Sequence, residues 1–189
     1  RDIPQESPAR ASLRRRGMSA PPTLQFRDAL DSDIDAILAI YGHAVLNSIG
    51  TFEEVVPSRD EMLARIDKVR SQRNPWIVAQ LAGEGVVGYA YASQLRDRIA
   101  FRFAVEDSIY LDPRIAGRGH GRALLSELLR RIAETPATQI IAVIGGGHEN
   151  VASVRLHTAL GFRPAGELRS VGFKFNRWLD SLWMQRGVG

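Results

Sequence analysis

The stretch from Asp112 to Leu125 places alternating glycines and basic residues directly ahead of an apolar helical repeat. Gly117, Gly119 and Gly121 permit backbone angles and close approaches that a Cβ would block, so successive amide N–H groups can converge on one anion. The helix that follows points the positive end of its dipole at the same place. Arg114, Arg118 and Arg122 recur every four residues through the loop and add charge. A pyrophosphate is the natural guest, and an ordinary glycine loop is the competing reading. Two other nucleotide loops fail on spacing: a G-x-G-x-x-G fingerprint would need its third glycine at Arg122, and a Walker loop needs Gly-Lys-Ser or Gly-Lys-Thr, which is absent.

Such a loop needs a strand to end it on one side and a helix to start it on the other. The sequence predicts both, with a strand from about Phe101 to Leu111 and an amphipathic helix marked by Leu124, Leu125, Leu128, Leu129 and Ile132. Upstream, a short strand near Leu24 to Arg27 leads through Asp31-Ser-Asp-Ile-Asp into a helix ending about Asn47. A second helix opens at Pro57 to Glu61 and ends before Pro75. Trp76 to Leu81 and Val86 to Gln94 read as a hairpin. Ile140 to Ile144 has the continuous apolar run of a strand buried on both faces. A helix from about Asn150 to Leu160 and two strands near Gly166 to Phe173 and Trp178 to Gln185 complete the chain. The order is one strand, two helices, three strands, a helix, a strand, a helix and two strands, which makes a mixed α/β (α+β) domain with a mixed sheet.

With 189 residues, 44% apolar and 24% charged, the chain has the composition of one ordinary domain. It contains no cysteine, which excludes a disulfide framework, a thiolate nucleophile and a Cys-based zinc site. No membrane span or secretory signal is apparent, and a cytoplasmic location is expected. The formal charge of +4 is concentrated at the front: five arginines against two carboxylates leave +3 in the first 17 residues, and only +1 for the remainder. That Arg-, Pro- and Ser-rich leader, residues 1–22, reads as disordered or as an upstream extension, and Met18 stands where a natural start could fall. A basic arm for nucleic acid is the weaker alternative, since the body from residue 23 to 189 is nearly neutral.

Ala116-Gly-Arg-Gly-His-Gly resembles the Q/R-x-x-G-x-G/A pattern of the GNAT superfamily, with Ala116 standing where Gln or Arg is usual. Asn150, Ser153, His157, Gly161 and Phe162 match a second pattern of that family, with His157 in place of its tyrosine. Together with Val-Glu-Asp-Ser-Ile-Tyr, Leu-His-Thr-Ala-Leu-Gly-Phe and Gly-Phe-Lys-Phe-Asn-Arg-Trp, these stretches are similar to the branch of phosphinothricin and methionine sulfoximine acetyltransferases, from about residue 24 to the C-terminus. The resemblance implies a GNAT acyl-CoA N-acyltransferase fold, a central mixed sheet flanked by helices on both faces. It also implies acetyl-CoA as co-substrate, no metal, a small-molecule amine as acceptor, and a homodimer with active sites near its interface.

Acetyl transfer to an amine requires the ammonium to lose a proton, and a carboxylate can take it. Strand alternation puts Glu106, Ser108 and Tyr110 on one face, opposite Val105, Asp107, Ile109 and Leu111. Glu106 is the expected base, at the position of the branch's catalytic glutamate. His157, two helical turns from Asn150, is the expected acid for the CoA sulfur; a helix histidine satisfied by a backbone carbonyl is the bland alternative. The resemblance assigns cofactor contacts to Ile109, Tyr110, Leu111, Arg114, Gly117, Arg118, Gly119, His120, Gly121, Arg122, Asn150 and Ser153. Among these, backbone N–H groups around Tyr110 to Asp112 are expected to polarise the thioester carbonyl.

For the acceptor it points to Phe52, Arg96, Arg98, Phe101 and Phe103, with the guanidinium forks suited to a carboxylate, phosphinate or sulfoximine oxygen. Core aromatics and a solvated Arg-Asp-Arg turn are the alternative there. The expected reaction is acetylation of the α-amine of a compact amino acid analogue. Acetylation of a polyamine, aminoglycoside or protein N-terminus, and an acyl-CoA sensor without turnover, are the competing functions.

Overall fold

The computed structural model describes residues 23–189; the expectations for the basic leader, for Met18 and for a nucleic-acid arm lie outside the described residues. Seven strands form one sheet in the order β1-β2-β3-β4-β5-β7-β6. They are β1 (Leu24–Asp28), β2 (Trp76–Leu81), β3 (Gly85–Gln94), β4 (Ala104–Leu111), β5 (Gln139–Gly145), β6 (Arg163–Lys174) and β7 (Arg177–Gly187). Every neighbouring pair is antiparallel except β4 with β5, which is parallel and reached by a helical crossover. The four helices are α1 (Ile34–Asn47), α2 (Arg59–Ser71), α3 (His120–Ile132) and α4 (Val151–Ala159).

Local chemistry explains these boundaries. Ser58 and Glu61 form a capping box at the start of α2: the Ser58 hydroxyl accepts from the Glu61 amide, and the Glu61 carboxylate accepts from the Ser58 amide. Leu124, Leu125, Leu128, Leu129 and Ile132 are all buried, so α3 docks by one apolar stripe. Each such side chain contributes roughly 1.5–3 kcal/mol by leaving water. Phe175 and Asn176 both take left-handed angles in the two-residue turn joining β6 to β7, as a hairpin of that length demands.

The sheet divides the core in two. Val105, Ala142, Leu182 and Met184 pack with α3 on one face, while Trp76, Val78 and Tyr89 pack with α1 and α2 on the other. The predicted order of elements and the helices on both faces are as observed. One expectation fails at the start of β4. Phe101 N–H donates to the Arg98 carbonyl and Arg102 N–H to that of Ile99, closing a 3-10 turn over Ile99–Phe101, so the strand begins at Ala104. Phe101 and Phe103 therefore do not alternate with Glu106 along a strand. Among the described residues no helix is long and apolar enough to cross a membrane.

Candidate active site

The site is organised by an interruption of the sheet. β5 accompanies β4 only from Ala104↔Gln139 to Asp107↔Ala142, whereas β4 continues to Leu111 with β3 still at its side. At the two ends of the β3–β4 ladder, Leu95 N–H donates to the Ala104 carbonyl and Asp112 N–H to the Val87 carbonyl. Alternate residues of an antiparallel ladder bond to the same neighbour, so Ala104, Glu106, Ser108 and Tyr110 spend their backbone groups on β3. The amides of Ile109 and Leu111 point the other way, into the gap. Of the amides expected near the thioester, that of Leu111 faces the gap, and those of Tyr110 and Asp112 are already paired with β3.

A cleft of about 650 Å³ opens at this gap. One wall is the glycine loop. Gly117 and Gly119 have φ of 77° and 82°, and no atom lies within 4 Å of where a Cβ would stand on either. The loop thereby keeps its backbone bare to the cleft, and Gly119 caps α3, whose first amides have no intrahelical acceptor. Gly121 and Arg122 line the same wall. Arg114 instead folds back on Asp112, at 2.5 Å, and Arg118 and His120 lie outside the cleft lining. The opposite wall comes from α4. Asn150 and Ser153 line it, with the Asn150 side chain accepting from the Ser153 amide as the helix cap and donating to the Gly145 carbonyl at 3.2 Å.

His157 also lines the cleft, and both its ring nitrogens are engaged. Nδ1–H donates to the Ser153 carbonyl at 2.8 Å, and Nε2 lies 3.1 Å from an Asp107 carboxylate oxygen. A carbonyl and a carboxylate only accept, a setting that favours the doubly protonated ring, and the Ser153 hydroxyl lies 3.3 Å from Nδ1. Burial works against that charge, but the Asp107 hydrogen bond and charge, with the Ser153 carbonyl, outweigh it and raise the histidine pKa. Phe162 meets the ring edge-on at 5.0 Å.

Glu106 occupies the other face of β4. Burial, followed by the charge of Asp107, raises its pKa above the usual carboxylate range, while Arg96 works in the opposite sense. The guanidinium of Arg96 lies 5.4 Å from the ring centre of Trp183. Register places Ser93 and Tyr91 of β3 beside Glu106 and Ser108 on this face; the Tyr91 hydroxyl is pushed up to about 12, mainly by burial. Phe52 reaches the same side of the sheet from the loop after α1, with its ring over Gly172. The structure thus brings Arg96 to Glu106. Arg98 precedes the exposed 3-10 turn that carries Phe101, and Phe103 sits half-exposed beneath the Arg102 guanidinium, so these three are not gathered around the carboxylate.

Three residues of this region carried no role in the sequence reading. Asp107 was the lone carboxylate in an otherwise apolar phase of Val105, Ile109 and Leu111, a signal that it required a buried partner. Trp183, between buried Leu182 and Met184, had the opposite phase and so belonged to the other face. Its indole N–H has no partner among the described residues. Lys174 is almost wholly buried beneath the Phe52 loop; it lies in the Gly-Phe-Lys-Phe-Asn-Arg-Trp stretch that carries the family resemblance, which gave it no role of its own.

The cleft suits a long ligand with an anionic end. It offers unpaired strand amides at one end, and bare loop amides facing a helix N-terminus at the other. Comparison with known proteins agrees. A family model described as "Acetyltransferase (GNAT) domain" matches residues 27–183. The phosphinothricin N-acetyltransferase of Alcaligenes faecalis is 48% identical over 156 residues, 82% of this chain and 78% of that protein. The L-methionine sulfoximine/L-methionine sulfone acetyltransferase of Salmonella typhimurium is 36% identical over 163 residues, 86% of this chain and 92% of that one. Among solved structures, a GNAT superfamily phosphinothricin acetyltransferase from Sinorhizobium meliloti in complex with acetyl-CoA superposes with a TM-score of 0.84 at 46% identity, covering 90% of each chain. The chain belongs to the GNAT superfamily, and it is an acetyl-CoA-dependent N-acetyltransferase.

Proposed function

We propose that the protein acetylates the α-amine of a compact, acid-bearing amino acid analogue of the phosphinothricin, methionine sulfoximine or methionine sulfone type, with Glu106 as general base. The observation that carries this reading is a buried Glu106 carboxylate within reach of the Arg96 charge, on the face of β4 opposite the cofactor cleft. A buried carboxylate with a raised pKa can accept a proton from an ammonium, directly or through a water. A guanidinium beside it can hold the acceptor's anionic group and so turn the amine toward the gap between β4 and β5. The named substrates of the two relatives carry such groups next to an α-amine.

Acetyl-CoA supplies an activated acyl thioester. The residues suited to hold it are the bare loop of Gly117 to Gly121, Arg122, Asn150 and the backbone of Ile109 and Leu111. The inward amides of those strand residues are placed to bond the pantetheine arm and to stabilise charge developing on the acyl oxygen. His157, whose pKa is raised by Asp107 beside the cleft, is the proton source for the leaving sulfur. A thiol near the cysteine reference of about 8.5 needs only partial protonation to leave, so this contribution is smaller than that of Glu106. We also read the apolar side chains exposed along β6 and β7, including Leu168, Phe173 and Trp178, as the face of a homodimer.

The test is release of free CoA thiol from acetyl-CoA with phosphinothricin, methionine sulfoximine, methionine sulfone, spermidine and an aminoglycoside in parallel. Turnover confined to the three amino acid analogues is the expected result. Preferential turnover of spermidine or the aminoglycoside would overturn the substrate assignment, and no turnover despite tight acetyl-CoA binding would point to a sensor.

A further inference from the structure

Loop 48–53, between α1 and α2, has no regular secondary structure, yet it walls two sites. Ser48 and Gly50 line the cofactor cleft, and Phe52 stands on the acceptor side. Such a segment makes no ladder hydrogen bonds, so its carbonyls must find other donors or water. Two of them find one side chain. Lys174, at the end of β6, sends its ammonium to the Ser48 carbonyl at 2.9 Å and to the Thr51 carbonyl at 2.8 Å. That lysine is 2% exposed; among the described residues no carboxylate is bonded to it, and Glu54 and Glu53 act on its charge only from a distance.

Burying an ammonium is costly unless hydrogen bonds compensate it, and here the two loop carbonyls supply them. The rest of the loop is fitted to the same clamp. Tyr41 and Thr51 share a hydrogen bond between their hydroxyls, and Arg65 pairs with Glu53 at 2.7 Å. Gly172, two residues before Lys174, leaves room for the Phe52 ring: a Cβ there would lie 2.2 Å from the nearest ring carbon. The hairpin therefore both grips the loop backbone and seats its aromatic side chain.

We propose that Lys174 is a positioning residue that sets acceptor affinity by holding loop 48–53, and with it Phe52, against the β6–β7 hairpin. This rests on the assignment of the Phe52 side of the sheet to the acceptor. It predicts a separation of effects, because the pyrophosphate end of the cleft is built from the loop before α3, which Lys174 does not touch.

The experiment compares the full chain with Lys174→Met, which keeps the length of the side chain without its donors, and with Lys174→Gln, which keeps a shorter donor. Steady-state constants for phosphinothricin, calorimetric Kd for CoA and hydrogen exchange over residues 48–54 are measured on each. For Lys174→Met the acceptor KM should rise about tenfold, the size expected of losing hydrogen bonds to a charged group. Lys174→Gln should fall between it and the wild type, with CoA Kd within about threefold and exchange accelerated over 48–54 but not in α3 or β5. Gly172→Ala, which displaces Phe52 without touching the lysine, should reproduce the rise in KM if either lysine variant fails to fold. Unchanged acceptor KM with unchanged loop exchange in a folded Lys174→Met would overturn the proposal. So would parallel losses of acceptor and CoA binding with protection lost throughout the sheet. If the wild type acetylates none of the amino acid analogues, the substrate assignment falls, and the exchange data alone decide whether Lys174 clamps the loop.

Discussion

Glu106 and Asp107 are consecutive carboxylates on one strand, and their surroundings differ in almost every respect. Glu106 faces the side of α1 and α2, half-buried, with the Arg96 charge acting on it and a pKa raised chiefly by burial. Asp107 faces the side of α3 and α4, its side chain wholly shielded from solvent and bonded to a histidine that is itself buried. One carboxylate is left available for a proton; the other is consumed in fixing a neighbour. Acid–base capacity at this site is therefore a matter of which face a side chain takes, and only secondarily of its chemical type.

The widest separation between the two should come from neutralising each. Glu106→Gln is expected to lower kcat/KM for the acceptor by about 10²–10⁴, the usual span for a general base, with acetyl-CoA binding unchanged by calorimetry. Its stability in urea at neutral pH should be equal to or above that of the wild type, because the substitution removes a desolvated charge. Asp107→Ala should behave in the opposite way. Removing one partner of the buried His157–Asp107 pair costs about 3 kcal/mol in urea unfolding, the range for breaking such a pair. A variant that lost activity but no stability would break the comparison.

The pH dependence of stability sharpens it. The folded pKa of His157 is raised, so the pair's stabilisation is fully present below the ring's unfolded pKa and is lost as pH rises through the raised value. Wild-type stability should therefore decline on the alkaline side of the ordinary histidine range, and Asp107→Ala should lack that decline. Glu106 is also raised, but from the carboxylate range, so its contribution is present below its unfolded pKa and lost as pH rises through the raised value, a more acidic window than that of His157, and Glu106→Gln should remove only that portion.

Arg96→Gln carries the smallest expected change, a rise of about tenfold in acceptor KM from the loss of a charge-assisted contact. Because Arg96 lowers the Glu106 pKa, its removal should also move the acid limb of kcat/KM to higher pH. An acid limb that stayed in place while KM rose would separate Arg96 from Glu106 and confine it to acceptor binding.

Much of this was legible before any coordinates. The glycine loop, the four buried leucines and one isoleucine of α3, and the apolar run of β5 each announce themselves within a few consecutive residues. The alternation of β4 was also legible, and it placed Glu106 and Asp107 on opposite faces. What alternation could not supply was the partner of each face. His157 lies 50 residues from Asp107, and no local pattern links a strand carboxylate to a helix histidine across that distance. The start of β4 was misread because Phe101 and Phe103 have the residue types of a strand, while the backbone hydrogen bonds after Arg98 close a turn first. Arg98 and the two phenylalanines are displaced from Glu106 for the same reason.

The sequence by itself determined the order of elements, the glycine loop ahead of α3 and the opposite faces taken by Glu106 and Asp107, because each depends on short-range periodicity and on the conformational limits of glycine. Tertiary structure alone decided three other matters. It ended the β4–β5 pairing at Asp107 and so opened a gap lined by unpaired amides; it gave His157 a buried carboxylate partner that raises its pKa; and it set Lys174 beneath a loop more than 120 residues earlier in the chain. Those outcomes depend on which backbone groups and charges meet after the sheet has closed, where burial makes each unmet partner costly.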